Sequence, residues 1–299
     1  MASSPKASPA GHGSGQRYGR WTAGRLLGQG AVGRVFVAYD EAGREAALTV
    51  VRPSLARDPE FRARFARGAE ALGAVRGRRT AELVDADPEG PVPWLATEYV
   101  DGPTLAARLG ASDGGPLGAP ELRTLASALA EALSDIHRAG LVHGGLRPWN
   151  VLLTTAGPRV TGVGVAAYGE GAGYVAPELL VGLVRDASVV PAASAPPADV
   201  FSLGAVLVFA ATGRAPFGGE DRGPDLADVP AELVPLIAAC LAEHPAARPT
   251  PRTVARMAGL PLPGSRRRAL TLAGTLLLAQ LAAAVGPLGG RWGPRTVGR

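Results

Sequence analysis

The sequence GQGAVGRV, residues 28–35, separates two segments with the apolar alternation of β-strands, 20–27 and 34–39. A glycine-rich loop that holds a dinucleotide is followed directly by a helix, whose N-terminus faces the pyrophosphate. In this chain the loop is followed by a strand, which excludes that interpretation. The pattern instead predicts a β-hairpin with a glycine-rich turn.

The rest of the chain predicts an α+β, two-lobed fold, with strands at the front and helices at the back. Strands are predicted at 46–52, 83–86 and 93–100, and an amphipathic helix at 58–75. Further helices are predicted at 121–139, 200–211, 231–243 and 251–257. We therefore expect a small antiparallel β lobe with one helix, about 18–100, and a larger helical lobe, about 101–258.

Charge and residue content exclude several functions. The formal net charge is +5, but residues 1–20 carry +3 and residues 259–299 carry +6, so the residues between them carry −4. A domain with this charge lacks the basic excess of a nucleic-acid-binding domain. The only lysine is Lys6, which excludes chemistry that needs a buried lysine, such as a Schiff base. With Cys240 as the only cysteine, neither an internal disulfide nor a zinc site is expected.

The two ends of the chain differ from its centre. Residues 1–17 are rich in Ser, Pro, Gly and Ala and are predicted to be a disordered tail without the apolar centre of a signal peptide. After a basic linker at 259–268, residues 269–288 are predicted to form a transmembrane helix, followed by a short tail at 289–299. The alternative is an apolar helix docked on the domain. The arginines before the span favour a single-pass protein of the cell membrane with its large domain in the cytoplasm.

Six sequence blocks occur in a characteristic order. They are GQGAVGRV at 28–35, WLATEYVDG at 94–102, HGGLRPWNVLL at 143–153, GYVAPE at 173–178, DVFSLG at 199–204 and HPAARPT at 244–250. In these blocks the chain resembles the bacterial eukaryotic-like Ser/Thr protein kinases over residues 18–258. The resemblance implies a two-lobed protein-kinase fold with an adenine cleft beneath the glycine-rich loop.

The resemblance also implies which residues line that cleft. They are Gly28, Gly30, Gly33, Val35, Ala47, the hinge backbone at Glu98 and Val100, and Leu152. Two interpretations remain open for this set. The residues are retained as scaffold, or they bind ATP weakly and without a metal ion.

The residues that perform chemistry in the family are replaced. Thr49 stands at the position of the strand lysine, Gly68 at the helix glutamate, Gly145 at the catalytic-loop aspartate and Gly162 at the metal-binding aspartate. Only Asn150 is retained, and one neutral amide does not hold Mg²⁺, which prefers carboxylate oxygens. Because residues 136–169 contain no Asp or Glu, no neighbouring acid is available as a substitute, and no metal site is expected.

These replacements predict a catalytically inactive kinase-fold protein, a pseudokinase that acts in signalling by binding proteins, such as an active kinase or its substrate. The segment between Gly164 and Ala176 contains no Ser or Thr, so it offers no serine or threonine hydroxyl for a phosphorylation switch. The alternative is a divergent ATP-dependent Ser/Thr protein kinase that still transfers phosphate. Nucleic acid is not expected as a partner.

Overall fold

The computed structural model describes residues 15–259, apart from 31, 113, 164–171, 181–195 and 218–223. The predicted transmembrane helix at 269–288 and the tail at 289–299 lie outside the described residues, as does nearly all of the linker at 259–268. Within the part that is described, none of the helices combines the length and apolar character needed to span a bilayer.

The N-terminal part of the domain is one antiparallel sheet of six strands in the order β1-β2-β3-β4-β6-β5. The strands are β1 Arg17–Tyr18, β2 Trp21–Gln29, β3 Gly33–Tyr39, β4 Glu45–Val51, β5 Leu83–Asp87 and β6 Trp94–Glu98. The five longer strands confirm those predicted from the sequence. The prediction that the disordered tail extends to residue 17 is wrong at its end, because Arg17 is paired with Thr22 in the sheet.

Two helices follow β4, α1 Pro53–Ala56 and α2 Pro59–Leu72. The Asp58 carboxylate caps α2 by accepting hydrogen bonds from the amides of Glu60 and Phe61. Phe61 and Phe65 are buried and pack in one cluster with residues of the sheet. The helix ends at Leu72 rather than at residue 75 as predicted, with Gly73 at its C-cap.

The C-terminal part is mainly helical. Its elements are α3 Leu105–Gly110, α4 Ala119–Arg138, β7 Val151–Thr154, β8 Gly157–Val160, α5 Pro196–Thr212, α6 Val234–Cys240 and α7 Pro251–Ala258. Helix α5 is buried along nearly its whole length, and α4 packs against both α5 and α7. The predicted arrangement of a small antiparallel β lobe followed by a larger helical lobe is therefore confirmed, although the β7–β8 hairpin was not predicted. Helix α5 begins at Pro196, four residues before the predicted start of this helix at residue 200.

One ion pair joins Glu178, which precedes α5, to Arg248, which precedes α7. The Arg248 guanidinium donates to both Glu178 carboxylate oxygens at 2.6 and 2.8 Å, and its side chain is completely buried. It also donates to the carbonyls of Pro197, Ala242 and Glu243. Burial raises the pKa of Glu178, but hydrogen bonds from Arg248 and the backbone outweigh it, so that this pKa lies below its ordinary value.

Candidate functional site

A cleft of about 470 Å³ lies between the sheet and the helical part of the domain. All eight residues predicted for it line the cleft: Gly28, Gly30, Gly33, Val35, Ala47, Glu98, Val100 and Leu152. The glycine-rich turn between β2 and β3 covers one side, and β7 forms part of the other. The volume is within the range of small-molecule sites, which is about 300–1,000 Å³.

The three glycines of the turn differ in how much space surrounds the position of a Cβ atom. A Cβ atom at Gly33 would lie 1.9 Å from the Val50 carbonyl oxygen, so Gly33 is required by the packing of β3 on β4. A Cβ atom at Gly28 or Gly30 would meet nothing within 4 Å. Packing therefore explains Gly33 but does not explain Gly28 or Gly30.

The position of the family's strand lysine is a neutral part of the cleft wall. Thr49 lies in β4 between Val35 and Leu95, lines the cleft and is 8% exposed. Gly68 lies on α2, where a Cβ atom would meet no atom within 4 Å, and it does not line the cleft. The nearby Glu70 is exposed, about 200° around the helix from Gly68, and cannot take the place of the missing glutamate.

Hydrogen bonds to Asp199 hold the backbone at the position of the family's catalytic loop. The Asp199 carboxylate accepts hydrogen bonds from the amides of His143, at 2.8 Å, and Gly144, at 2.9 Å. It also lies 2.8 Å from Nε2 of His137. Burial lowers the pKa of His143, which favours its neutral form. This network fixes the backbone next to Gly145. Gly145 has no side chain and does not line the cleft.

Asn150 and Gly162 meet at the end of the cleft near this loop. The Asn150 side-chain amide donates to the Gly145 carbonyl at 2.8 Å, so it has a structural partner in the loop. Gly162 has a φ of 74°, a left-handed conformation that favours glycine, and a Cβ atom there would lie 3.4 Å from the Asn150 carboxamide. Both residues line the cleft, and neither supplies a carboxylate.

The acids of the site are scarce. Among the described residues that line the cleft, Glu98 is the only acid, and its two carboxylate oxygens each lie 2.6 Å from the Arg159 guanidinium. Hydrogen bonds from Arg159 hold the pKa of Glu98 below its ordinary value against the effect of burial. No group of three His, Cys, Asp or Glu side chains within the described ranges is arranged to hold a metal ion.

The family profile of the protein kinase domain matches residues 21–258. The chain belongs to the protein kinase family. The serine/threonine-protein kinase AfsK of Streptomyces griseus is 43% identical over 260 residues, which cover 78% of this chain and 31% of AfsK. The probable serine/threonine-protein kinase PkwA of Thermomonospora curvata is 40% identical over 251 residues, 78% of this chain and 33% of PkwA. The chain thus spans about a third of these relatives.

The solved structures agree with the family assignment. The kinase domain of Mycobacterium tuberculosis PknI is 28% identical, covers 83% of this chain and 98% of its own length, and has a TM-score of 0.69. The resemblance to the bacterial eukaryotic-like Ser/Thr kinases is therefore confirmed.

Two features of this kinase domain were missed from the sequence. Trp149 lines the cleft while 54% exposed, and its ring meets that of Tyr174 edge to face at 6.1 Å. Arg159 joins β8 to the end of β6 through Glu98 and also donates to the Thr80 carbonyl. Neither contact has a local sequence signal, because each joins residues that are far apart in the chain, Trp149 to Tyr174 and Arg159 to Glu98.

Proposed function

We propose that this kinase-family chain is a catalytically inactive pseudokinase that acts in signalling by binding protein partners. One observation carries the proposal: among the described residues that line the cleft, no carboxylate is available to hold a metal ion or accept a proton. Phosphoryl transfer depends on a metal that neutralises charge and on a base that orients the attacking hydroxyl. Gly145 and Gly162 provide neither.

The losses are physically consistent with one another. A buried lysine without its glutamate, or an aspartate without a metal, leaves an uncompensated charge, which is strongly unfavourable. Here Thr49 and Gly162 in the cleft wall are both uncharged, and so is Gly68. The contacts of Asp199 and of Arg248 with Glu178 preserve the architecture of the domain without supplying chemistry. This combination favours a binding role over a catalytic one.

The test is transfer of labelled phosphate by the purified chain in the presence of ATP with Mg²⁺ or Mn²⁺. We expect no label on the chain itself or on a generic protein substrate. An AfsK kinase domain assayed in parallel tests the reagents. Label that appears with this chain and disappears in Asn150→Ala would overturn the proposal, because loss in that variant assigns transfer to this cleft.

A second candidate is a divergent ATP-dependent Ser/Thr protein kinase. The comparisons favour this alternative more than inactivity, because the relatives, at 43% and 40% identity, are named as kinases. Such an activity requires the missing lysine and acids to be replaced by groups outside the described cleft. The same label assay separates the two candidates, because only an active enzyme transfers label. If the Thr49 wall contacts ATP in an active enzyme, Thr49→Ala should reduce this transfer.

For the cleft we propose weak binding of ATP without a metal ion. The retained Gly28 and Gly30, which packing does not explain, support this proposal. So does the pairing of Glu98, the single acid among the described lining residues, with Arg159, which limits its repulsion of phosphate oxygens. ATP is expected to raise the melting temperature equally with Mg²⁺ and with EDTA. A rise seen only with Mg²⁺ would show that an acid coordinates the ion, and the proposal would fail.

We further propose that residues 269–288 tether the chain to the cell membrane with the kinase-like domain in the cytoplasm. Residues 269–286 contain no charged side chain and follow three consecutive arginines. The full chain should fractionate with membranes, and Leu277→Arg should move it to the soluble fraction, whereas Leu277→Ala should not. Equal fractionation of the two variants would contradict the tether. Partners that co-purify with the membrane-bound chain should include an active kinase or its substrate.

A further inference from the structure

The last helix of the domain, α7, ends close in sequence to the predicted membrane segment. The last described residue is Gly259, and only residues 260–268 separate it from the predicted transmembrane helix at 269–288. A chain advances at most about 3.6 Å per residue, so the segment from Gly259 to Ala269 spans at most roughly 36 Å, and a random coil of that length spans about half as much. A tether at 269–288 therefore keeps the end of α7 near the lipid surface.

Helix α7 is held firmly on the domain by its inner side. Val254 and Ala258 are at most 2% exposed, and α7 packs mainly on α4. The Arg123 guanidinium of α4 donates to the Ala258 carbonyl at 3.2 Å, which holds the last turn of α7 in place. The Gly259 amide closes the helix by donating to the Ala255 carbonyl. The outer side of α7 is therefore a fixed part of the surface of the domain.

The outer side of α7 is basic. Arg252 and Arg256 are both exposed and lie four residues apart, so they are neighbours on one side of the helix. Arg256 donates to the Thr253 hydroxyl at 3.2 Å, and within the described part of the chain neither guanidinium is paired with a carboxylate. Residues 249–259 contain no Asp or Glu. We call the side of α7 that carries these two arginines the basic face.

The basic face is opposite in sign to the domain that carries it. Residues 21–258 carry a formal charge of −4, and exposed arginines elsewhere are paired with acids, as Arg17 is with Glu41 and Arg78 with Glu131. A surface of anionic lipid headgroups repels a negative domain and attracts exposed arginines that come within about a Debye length, 8–10 Å. The basic face is thus the side of the domain that such a surface attracts.

We propose that the basic face of α7 docks on anionic lipid headgroups, so that the domain lies on the membrane through its last helix. The proposal deepens the proposed function and rests on it in one respect, that residues 269–288 bring α7 to the membrane. The tether alone does not fix which side of the domain faces the lipid. Contacts of Arg252 and Arg256 with headgroup phosphates fix that side, because each basic residue near an anionic surface strengthens binding.

Docking is measured apart from the tether in the full-length Leu277→Arg chain, which should not insert into a bilayer. It should sediment with vesicles of equal parts phosphatidylcholine and phosphatidylglycerol, but not with phosphatidylcholine vesicles. Adding Arg252→Glu and Arg256→Glu should weaken binding to the anionic vesicles at least about tenfold. The matched control adds Arg25→Glu and Arg57→Glu, two exposed arginines of the N-terminal part, and should retain binding within about threefold. Both pairs change the net charge equally, and both keep the arginines at 266–268.

Hydrogen exchange gives a second measurement on the unchanged chain. In phospholipid nanodiscs, amides of residues 250–259 should exchange more slowly with phosphatidylglycerol present than with phosphatidylcholine alone, because docking covers α7. Residues 21–29 of the sheet should exchange equally in both discs. Circular dichroism identifies any variant that fails to fold. If the Leu277→Arg chain or a charge-reversed variant does not fold, the exchange of residues 250–259 decides the question.

The results distinguish docking from the tether. Absence of binding of the Leu277→Arg chain to anionic vesicles, equal binding by the two pairs of variants, or equal exchange of residues 250–259 in the two discs would overturn docking. An unchanged chain that stays in solution with phosphatidylcholine vesicles would overturn the tether alone. An unchanged chain that sediments with those vesicles, combined with equal binding by the two pairs, would overturn docking and leave the tether in place.

Discussion

Replacement of Arg248 by methionine should strongly destabilise this domain. Arg248 is completely buried and donates to the two Glu178 carboxylate oxygens and to three backbone carbonyls. Removing one partner of a buried ion pair costs about 3–5 kcal/mol, because the remaining groups stay desolvated. Glu178 is 30% exposed, so water partly replaces its lost partner, and methionine retains contact with the Phe201 ring. We therefore expect the free energy of unfolding to fall by about 3 kcal/mol.

Urea unfolding at pH 7, followed by far-ultraviolet circular dichroism, measures this change. Glu178→Gln keeps an acceptor for Arg248 and should cost less, about 1–2 kcal/mol. Because both variants remove one interaction, the double variant should cost less than the two single changes added together. A loss below about 1 kcal/mol for Arg248→Met, or strict additivity, would refute the assignment of this pair as a buried structural anchor.

The same pair has a defined pH dependence. The pKa of Glu178 is lower in the folded state than its ordinary value. The unfolded chain therefore binds a proton more readily as pH falls, and the contribution of Glu178 is full above its unfolded pKa and lost as pH falls through its folded pKa. In Glu178→Gln this part of the acid destabilisation should be absent. An unchanged slope of stability against pH would contradict the sign of the shift.

Three further predictions concern the cleft and core. Gly33→Ala should lower the free energy of unfolding by about 1–3 kcal/mol, because its Cβ would lie 1.9 Å from the Val50 carbonyl oxygen. Gly28→Ala should leave this free energy unchanged, because a Cβ atom there meets nothing within 4 Å. Equal urea midpoints for the two variants would contradict the packing argument. Arg159→Leu should increase hydrogen exchange at residues 98–102, because it removes the contacts with Glu98 and Thr80, while Arg17→Leu, which breaks an exposed ion pair, should leave that exchange unchanged. Burial raises the pKa of the Cys240 thiol to about 12, so a thiol reagent should modify this single cysteine only as fast as the chain unfolds, and fast labelling under native conditions would refute its burial.

The sequence predictions were correct where a local pattern extended over a whole strand or helix. Alternation along β2, β3, β4 and β6 and the helical spacing in α4 are local patterns, and the structure confirms those elements. The β7–β8 hairpin was missed because its four-residue strands at 151–154 and 157–160 carry too short a pattern. Helix α2 ended earlier than predicted, at Leu72, because periodicity locates the apolar face of a helix better than its last turn.

The sequence by itself determined the family, eight of the residues that line the cleft and the lack of charged groups at Thr49, Gly68, Gly145 and Gly162. Residue type and order are read directly from the chain. Only the tertiary structure decided what surrounds those positions. It brings Arg159 to Glu98 and places Trp149, Leu72, Leu95 and Val163 in the lining of one cleft. The reason is that these contacts join residues distant in sequence, and their geometry is set by how the sheet and helices pack rather than by any local pattern.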